Sequence, residues 1–291
     1  MNWFNTCYDA LMYRFGFDHA YNRSLTSDPY TALAKRGFSI SRREVAHPGA
    51  LTSRFIYFAA NEVFSAGRDF QYLEYSECSD IEELHGRGKI KGQSVEDLLS
   101  PRVSLRCDAS LESLYLSTKA VFRRFEPEFS HKNYYWVTND KDRRPGWNFL
   151  VFNRYLVPGI GLWLTEYEPR PATAPNIKPM IHHNTAGHII GQIWNTEADD
   201  LKDLSKLVKR DVTEASLELD DGTTIWQQAE CDFDFKHKTT AFNAIVLSCA
   251  SLSKFIETAK PDATGLFVGR PAALLKQADN SWDIIAVEEE E

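Results

Sequence analysis

Hydrophobic and polar residues alternate near the start of the chain in a way that predicts one strand, a helix and three more strands. Residues 17–23 alternate as a strand does, and residues 38–43, 54–59 and 70–77 do so again. Between the first two runs, an Asp-Pro pair marks the start of a helix and a glycine marks its end. The chain therefore opens with the predicted order β-α-β-β-β.

The same order of predicted elements can be sought three more times along the chain, with four predicted strands in the second copy and three each in the third and fourth. Strand-like alternation and helical spacing of apolar residues define each copy. The predicted elements are strands 103–107, 134–138, 147–153 and 161–167 with a helix at 111–125, strands 188–194, 212–219 and 223–229 with a helix at 197–208, and strands 242–248, 266–268 and 282–287 with a helix at 252–258. The sequence thus predicts an α+β fold class built from repeated β-α-β-β-β modules.

Segments without periodicity divide the chain. A proline-rich stretch lies between the second and third copies, and a polar insertion at 79–102 interrupts the first half. We therefore expect an N-terminal helical extension at 1–16, a first half at 17–168, a linker at 169–186 and a second half at 187–291.

Composition narrows the class of protein. The 291 residues carry a formal net charge of −8, which argues against a nucleic-acid-binding surface. The five cysteines are widely spaced and form no CxxC pair, which fits the reducing cytosol. The sequence shows neither a signal peptide nor a run of about 20 apolar residues that could span a bilayer. We expect a cytoplasmic protein with no membrane or nucleic-acid partner.

The stretch FQYLEYSE places a carboxylate among aromatic side chains. Side chains alternate across a strand, so Phe70, Tyr72 and Glu74 share one face. A carboxylate flanked by two aromatic rings is costly to bury unless it has a partner. Glu74 is therefore expected to face a metal, a histidine, an arginine such as Arg54, or a wet cavity.

Several stretches, taken in order, resemble one family. FDHAYN and YLEY open and close the first module, and AHPGALTSRFIYF, HHNTAGHIIGQIW and GRPAALLKQADNSWDIIAV follow in the expected places. Together they resemble the vicinal oxygen chelate superfamily, and more narrowly its glyoxalase-like domain proteins. The resemblance implies that paired modules curl into half-open, barrel-like sheets. It also implies binding of a small oxygen-rich or aromatic molecule.

Site residues follow from this resemblance position by position. His19 matches the ligand on the first strand, Glu74 matches the one on the fourth strand, and Glu166 is a weaker third candidate. Imidazole and carboxylate suit Fe, Mn, Ni or Zn. The third and fourth copies offer no matching histidine, so the alignment does not supply the usual three or four protein ligands. We therefore expect either one of these divalent metals as the cofactor or no cofactor. The same two residues, His19 and Glu74, are the candidate catalytic pair.

Four further residues are expected to line the substrate pocket. They are Arg54, Tyr72, Trp163 and His182, and one of the linker histidines His182 and His183 could fold over the cavity as a lid. The histidine and the aromatic residues among them, and also Glu166, have ordinary structural alternatives. His182 could lie in a solvated loop, the aromatic rings could belong to the core, and Glu166 could simply pair with Arg154.

Two function classes remain open at the level of sequence. One is an enzyme with lyase, isomerase or dioxygenase chemistry, assisted by metal if a third ligand exists. The other is a non-catalytic protein that binds or sequesters a small molecule, and the missing second histidine favours it. The modules could pair first with second, or across two chains of a homodimer.

Overall fold

A computed structural model describes residues 13–24, 29–42, 44–47, 51–64, 68–78, 99–133, 146–167, 178–197, 199–213, 216–228, 233–235, 242–277 and 282–289. In these ranges the chain forms a sheet-rich α+β structure. The strands are β1 Phe15–Ser24, β2 Val45–His47, β3 Leu51–Phe64, β4 Arg68–Cys78, β5 Arg102–Cys107, β6 Pro127–Asn133, β7 Gly146–Phe152, β8 Gly161–Tyr167, β9 Ala186–Trp194, β10 Val212–Thr213, β11 Ser216–Glu218, β12 Thr224–Gln227, β13 Phe233–Phe235, β14 Ala244–Cys249, β15 Ala263–Phe267, β16 Arg270–Leu275 and β17 Asp283–Glu288. The α-helices are α1 Pro29–Lys35, α2 Leu111–Thr118, α3 Lys202–Val208 and α4 Leu252–Ala259, and a 3₁₀ turn covers Arg123–Phe125.

The strands of the first half pair in the order β2-β3-β4-β1-β5-β8-β7-β6. The pairs β1–β4 and β5–β8 are parallel, and the other pairs in this order are antiparallel. Strands β1 and β5, each of which is followed along the chain by a helix and three more strands, lie side by side at the centre of this order.

The strands of the second half pair in a matching way. Their order is β10-β11-β12-β9-β14-β17-β16-β15-β13, with β9–β12 and β14–β17 parallel. Here β9 and β14 are the central antiparallel pair. A single parallel pairing, Ala59 with His188, joins β3 to β9 and makes the two halves one hydrogen-bonded network.

The largest hydrophobic core draws on both halves and on all four helices. Leu33, Leu114, Leu204 and Phe255 are buried there, one from each helix in turn. Strand residues of both halves join the same cluster, including Phe17 and Ile225. Because burying apolar surface is the main favourable term in folding, this shared core holds the halves together.

Two smaller apolar clusters lie apart from that core. One involves Phe55, Tyr57 and Phe70 of β3 and β4. The other involves strand residues of the second half, among them Ile193, Val246 and Phe267. Alternation along a strand sends neighbouring residues to opposite faces, so these clusters mark the sheet faces turned away from the helices.

Several predicted element boundaries are wrong, each for a local reason. Residues 38–42 are not a strand. Instead of a ladder of backbone hydrogen bonds, Ser41 bonds to Phe55 in two ways: its N–H donates to the Phe55 carbonyl, and its Oγ accepts from the Phe55 N–H. The predicted helix at 111–125 ends at Thr118, whose hydroxyl donates to the carbonyl of Leu114. Such side-chain bonds compete with helical ones.

Other predictions differ in extent or lie outside the described residues. The helix at 197–208 begins at Lys202, the strand at 212–219 is divided into β10 and β11, and β16 was not predicted. Phe15 and Gly16 begin β1 rather than ending a helical extension. The rest of that extension up to residue 12, and the predicted strand 134–138, lie outside the described residues.

Candidate functional site

The first strand carries an irregularity at the centre of the candidate site. On β1, Phe17 pairs with Leu105 and His19 pairs with Ser104, so Asp18 is one extra residue opposite β5. A bulge of this kind re-aims side chains that strict alternation would send to opposite faces. Here the side chain of Asp18 lies beside that of His19, with Asp18 Oδ2 2.6 Å from His19 Nδ1.

Asp18 is anchored from a second side as well. The Tyr167 hydroxyl, on β8, donates to Asp18 Oδ2 at 2.6 Å. Asp18 and His19 are both buried, with 1% and 5% of their surfaces exposed. A carboxylate that accepts from Nδ1 orients the ring and leaves Nε2 as the nitrogen that faces outward from the pair.

The other side of the imidazole faces Glu74. β1 and β4 pair in parallel with His19 opposite Tyr72 and Tyr21 opposite Glu74, which puts all four on one sheet face. Glu74 Oε2 lies 3.9 Å from His19 Nε2, and Glu74 is buried. His19 therefore lies between two carboxyl groups, with Asp18 bonded to Nδ1 and Glu74 3.9 Å from Nε2.

Aromatic rings enclose the imidazole. Tyr72 stacks on His19 with ring centroids 4.3 Å apart and planes 13° apart. Trp163, on β8, meets the ring edge-on at 5.2 Å. Among the described residues, the buried indole Nε1 of Trp163 has no hydrogen-bond acceptor. The predicted residues His19, Glu74, Tyr72 and Trp163 thus come together.

An apolar wall continues from Tyr72 along the same face. Phe55 lies opposite Glu74 in the β3–β4 register, and Tyr57 lies opposite Tyr72. Tyr57 and Phe70 are buried with Phe55, and Met180 of the linker packs against the group. The site therefore combines one imidazole and two carboxyl groups with a cluster of buried aromatic rings.

Glu166 has a different role from the one predicted. Its Oε2 accepts from the backbone N–H of Leu111 at 2.9 Å and from the side-chain amide of Asn148 at 3.0 Å. Leu111 is the first residue of α2, where helical N–H groups have no partner within the helix. Glu166 satisfies one of them. The suggested alternative partner, Arg154, pairs with Glu126 instead.

Arg54 lies on the opposite face of the sheet from Glu74. In the β3–β4 register it is paired with Tyr75, while Glu74 is paired with Phe55. Its guanidinium lies 5.1 Å from the centre of the Tyr30 ring and donates to Glu44. Of the alternatives expected for Glu74, the structure shows a histidine and not Arg54, because neighbouring strand positions face opposite ways.

His182 belongs to the core rather than to a lid. Its Nδ1 accepts from the Ser39 N–H at 3.0 Å, and its Nε2 donates to the carbonyl of Tyr57 at 3.2 Å. The ring lies against Phe38 and Phe58. Burial lowers the pKa of His182 to about 4, partly opposed by the bond to Tyr57. The imidazole is a neutral bridge between the linker and the first half.

The donor groups in the described part of the chain do not fit a protein-bound metal. In the ranges that the structure describes, no group of three or more His, Cys, Asp or Glu is arranged to hold a metal ion. Catalytic metal sites generally use three protein ligands. His19 Nε2 and Glu74 face each other here, whereas Nδ1 is taken by Asp18 and Glu166 is bound at α2.

Sequence reasoning missed Asp18 and Tyr167. Strict alternation assigns Asp18 to the face opposite His19, and only the bulge reverses that assignment. Tyr167 directly follows Glu166, the carboxylate that was predicted as a third ligand. The Tyr167 hydroxyl, however, is the group that donates to Asp18. The adjacency of Asp18 and His19 in FDHAYN was the one signal available.

The second half has no counterpart to this acid–base group at the matching strand positions. Gly191 is paired with Thr224 as His19 is paired with Tyr72, and Trp226 follows where Glu74 stands in the first half. A Cβ on Gly191 would lie 2.1 Å from Trp226 Cζ3, so the indole occupies the space an imidazole would need.

Comparisons with known proteins assign the chain to no family. No family model matches it, and no curated protein does. Among solved structures, one neighbour is a mutant of glyoxalase I from Zea mays, which is 10% identical with a TM-score of 0.25 and covers 95% of this chain and 93% of that one. A likeness this low establishes neither a family nor a fold. Among the described residues, no helix combines the length and apolar character needed to cross a membrane.

Proposed function

We propose that this chain is a glyoxalase-like protein of the vicinal oxygen chelate type whose first half binds a small planar molecule bearing adjacent oxygens. The binding surface is the aromatic face around His19 and Glu74. Proton transfer between these two residues and the bound molecule is the proposed reaction. The observation that carries the proposal is the buried imidazole held between Asp18 and Glu74 against an aromatic wall.

The proposed fold type is supported by a recurring order of elements. A strand, a helix and three strands follow one another at β1, β5, β9 and β14, with one additional strand, β13, before the last group. In each group the first strand pairs in parallel with the last. Groups one and two, and groups three and four, meet through their first strands. We take these groups as the repeated modules and their pairs as the half-open barrels.

The chemistry follows from which atoms are already engaged. Asp18 occupies Nδ1, so His19 Nε2 is the nitrogen that can take up a proton. A molecule with a CH₂ group beside a carbonyl would lose a carbon-bound proton to Nε2, and the C–H electron pair would form the C=C bond of an enol. The carbonyl oxygen would take a proton from the protonated form of Glu74. Nothing is oxidised or reduced, and the reverse steps restore both residues.

A second candidate function is binding without turnover. The apolar wall favours it, because Phe55, Tyr57 and Phe70 form an aromatic cluster that packs against Tyr72 beside His19. Aromatic pockets with a few polar anchors are the usual form of small-molecule sites. This candidate needs the same surface but no proton transfer, so one experiment can separate the two.

The test uses phenylpyruvate, which has a planar ring, two adjacent oxygen-bearing carbons and an exchangeable CH₂ group. Tryptophan fluorescence reports binding because Trp163 contacts His19. Proton NMR in D₂O follows exchange of the CH₂ protons. Wild type is compared with His19→Gln, Glu74→Gln and the matched control Glu77→Gln, which lies on the opposite face of the same strand.

We expect wild type and Glu77→Gln to bind phenylpyruvate and to exchange its protons at equal rates. His19→Gln and Glu74→Gln should bind but exchange about 10²- to 10⁴-fold more slowly, the usual contribution of a general acid or base. Binding with no exchange above background in wild type would favour the second candidate. Neither binding nor exchange would overturn both, as would stoichiometric metal in the purified protein that Glu74→Ala abolishes.

A further inference from the structure

A turn from the second half reaches the first strand of the first half. The turn joins β11 to β12 and carries two consecutive aspartates. Asp220 Oδ2 accepts from the backbone N–H of Phe15 at 2.7 Å, and the Asp220 N–H donates to the Phe15 carbonyl at 2.7 Å. Asp221 Oδ2 accepts from the backbone N–H of Phe17 at 2.8 Å.

Asp221 is more deeply engaged than its neighbour. It is 4% exposed, and it also accepts from the side-chain amide of Gln71 at 3.2 Å and from the Thr223 N–H at 3.0 Å. Gln71 lies on β4, next to Tyr72. A buried carboxylate is costly unless donors surround it, so these bonds fix where β1, β4 and the turn meet.

The bond to Phe17 lies on the edge of β1 that faces β4, at a point where β4 does not yet pair with β1. Pairing of β1 with β4 begins only at His19, opposite Tyr72. The N–H of Phe17 comes two residues earlier, and Phe17 is fully buried. Without Asp221 this N–H would lose its partner, and buried backbone donors are almost always paired in folded proteins.

Phe17 is also the residue directly before the bulge. The register of β1 against β5 changes between Phe17 and His19, and that change turns Asp18 toward the imidazole. On one edge of β1, the pairing with β5 determines the position of the bulge. On the other edge, Asp221 binds the N–H of Phe17, the residue directly before the bulge. The geometry of the Asp18–His19 pair therefore depends on a carboxylate more than 200 residues away in the chain.

We infer that Asp221 is a positioning residue, supplied by the second half, that holds the bulge of β1 and so keeps His19 Nδ1 bonded to Asp18. The inference rests on the proposed role of His19. Asp221 acts through the backbone of Phe17 and does not touch the bound molecule. Its effect is on which ring nitrogen of His19 carries the proton, not only on how firmly the halves are joined.

The test reads the tautomer of His19 directly. Two-bond ¹H–¹⁵N correlation spectra of full-length protein labelled at the histidine ring nitrogens distinguish Nδ1–H from Nε2–H. The His19 signals are identified by their loss in His19→Gln. The variants are Asp221→Ala and the matched control Asp220→Ala, which removes the equivalent bond from the same turn to Phe15 but leaves Phe17 held.

In wild type and Asp220→Ala we expect the Nδ1–H form to predominate. In Asp221→Ala we expect the ratio of Nδ1–H to Nε2–H to fall about fivefold, which corresponds to the loss of one hydrogen bond. Equal tautomer ratios in all three proteins would overturn the inference, as would equal changes in the two variants. If Asp221→Ala does not fold, Asp221→Ser is measured in its place with the same criteria, because its shorter side chain keeps an acceptor for the Thr223 N–H but does not reach the Phe17 N–H.

This readout needs no ligand, so it separates two kinds of failure. Wild-type protein that shows the Nδ1–H form but neither binds nor exchanges phenylpyruvate would leave Asp221 as a positioning residue and overturn the proposed function. Phenylpyruvate exchange that depends on His19, with a tautomer indifferent to Asp221, would overturn this inference alone.

Discussion

His182 shows how a single residue links stability to pH. Its pKa is about 4 in the folded protein, below the ordinary value of 6.5, because burial disfavours the charged ring. Between these values the unfolded chain binds the extra proton and the folded one does not. The free energy of unfolding should therefore fall by about 1.4 kcal/mol for each pH unit lost in that window, and the contribution should be fully present above pH 6.5.

Urea unfolding at several pH values between 4 and 7 checks this expectation. Wild type is compared with His182→Gln, which cannot titrate, and with His183→Gln, whose side chain is exposed. The slope should be clearly smaller in His182→Gln and only slightly changed in His183→Gln, because the charge of His183 is the smallest of the influences on the His182 pKa. A wild-type slope retained in His182→Gln would show that other groups account for it.

Glu166 supports a helix end rather than the site. Replacing it with alanine leaves the Leu111 N–H and the Asn148 amide without their acceptor, so Glu166→Ala should lower the free energy of unfolding by about 1–2 kcal/mol. Glu112→Ala, an exposed acid in the first turn of the same helix, is the control and should change it by less than about 0.5 kcal/mol. Chemical denaturation measures both. Loss of phenylpyruvate binding in folded Glu166→Ala would contradict this role.

At the scale of elements, alternation predicts which faces strands present only where the strand is regular. It correctly groups Phe70, Tyr72 and Glu74, because β4 is continuously paired. It fails at Asp18, because a bulge depends on the neighbouring strand and leaves no mark in a single sequence. The contacts of Arg54 with Glu44 and with the Tyr30 ring could not be predicted from the sequence either, because both depend on how β3 and α1 pack. The catalytic role of His19 and Glu74 stays a prediction.

Strand β9 offers a test of how tightly the second half is packed. Gly191 lies beneath the Trp226 indole, and a Cβ added to it would lie 2.5 Å from the Thr224 carbonyl oxygen. Backbone cannot easily move aside, so Gly191→Ala should lower the free energy of unfolding by about 1–3 kcal/mol. Gly187→Ala on the same strand, where the nearest atom would be 3.4 Å away, should have a much smaller effect. Equal midpoints of urea unfolding in the two variants would contradict this packing.

At the scale of the whole molecule, the halves share too much structure to unfold separately. Trp282 of the second half donates its backbone N–H to Asn22 at 3.0 Å and its indole N–H to the carbonyl of Arg102 at 3.1 Å. Phe17 and Ile225 belong to one continuous core. Loss of either half would expose that core, so we expect one cooperative transition.

Hydrogen exchange measured at increasing urea tests this cooperativity. The central strands β5 and β14 should reach a common opening free energy, and Trp282→Phe should lower it equally in both, since that change removes the indole bond to the first half. Exchange in β14 that becomes fast while β5 stays protected, or the reverse, would show that the halves are separate folding units.

The contact between the Asp220–Asp221 turn and β1 also has a consequence in time. The last strand of the first half, β8, ends at Tyr167, but the acceptor for the Phe17 N–H is residue 221. At a synthesis rate of roughly 5–20 residues per second, about 3–10 seconds pass between translation of the two. During that interval the first half lacks both this acceptor and the second half's part of the shared core. Nascent chains halted before residue 221 should therefore lack an ordered Asp18–His19 pair, and the site should mature only as the second half is made.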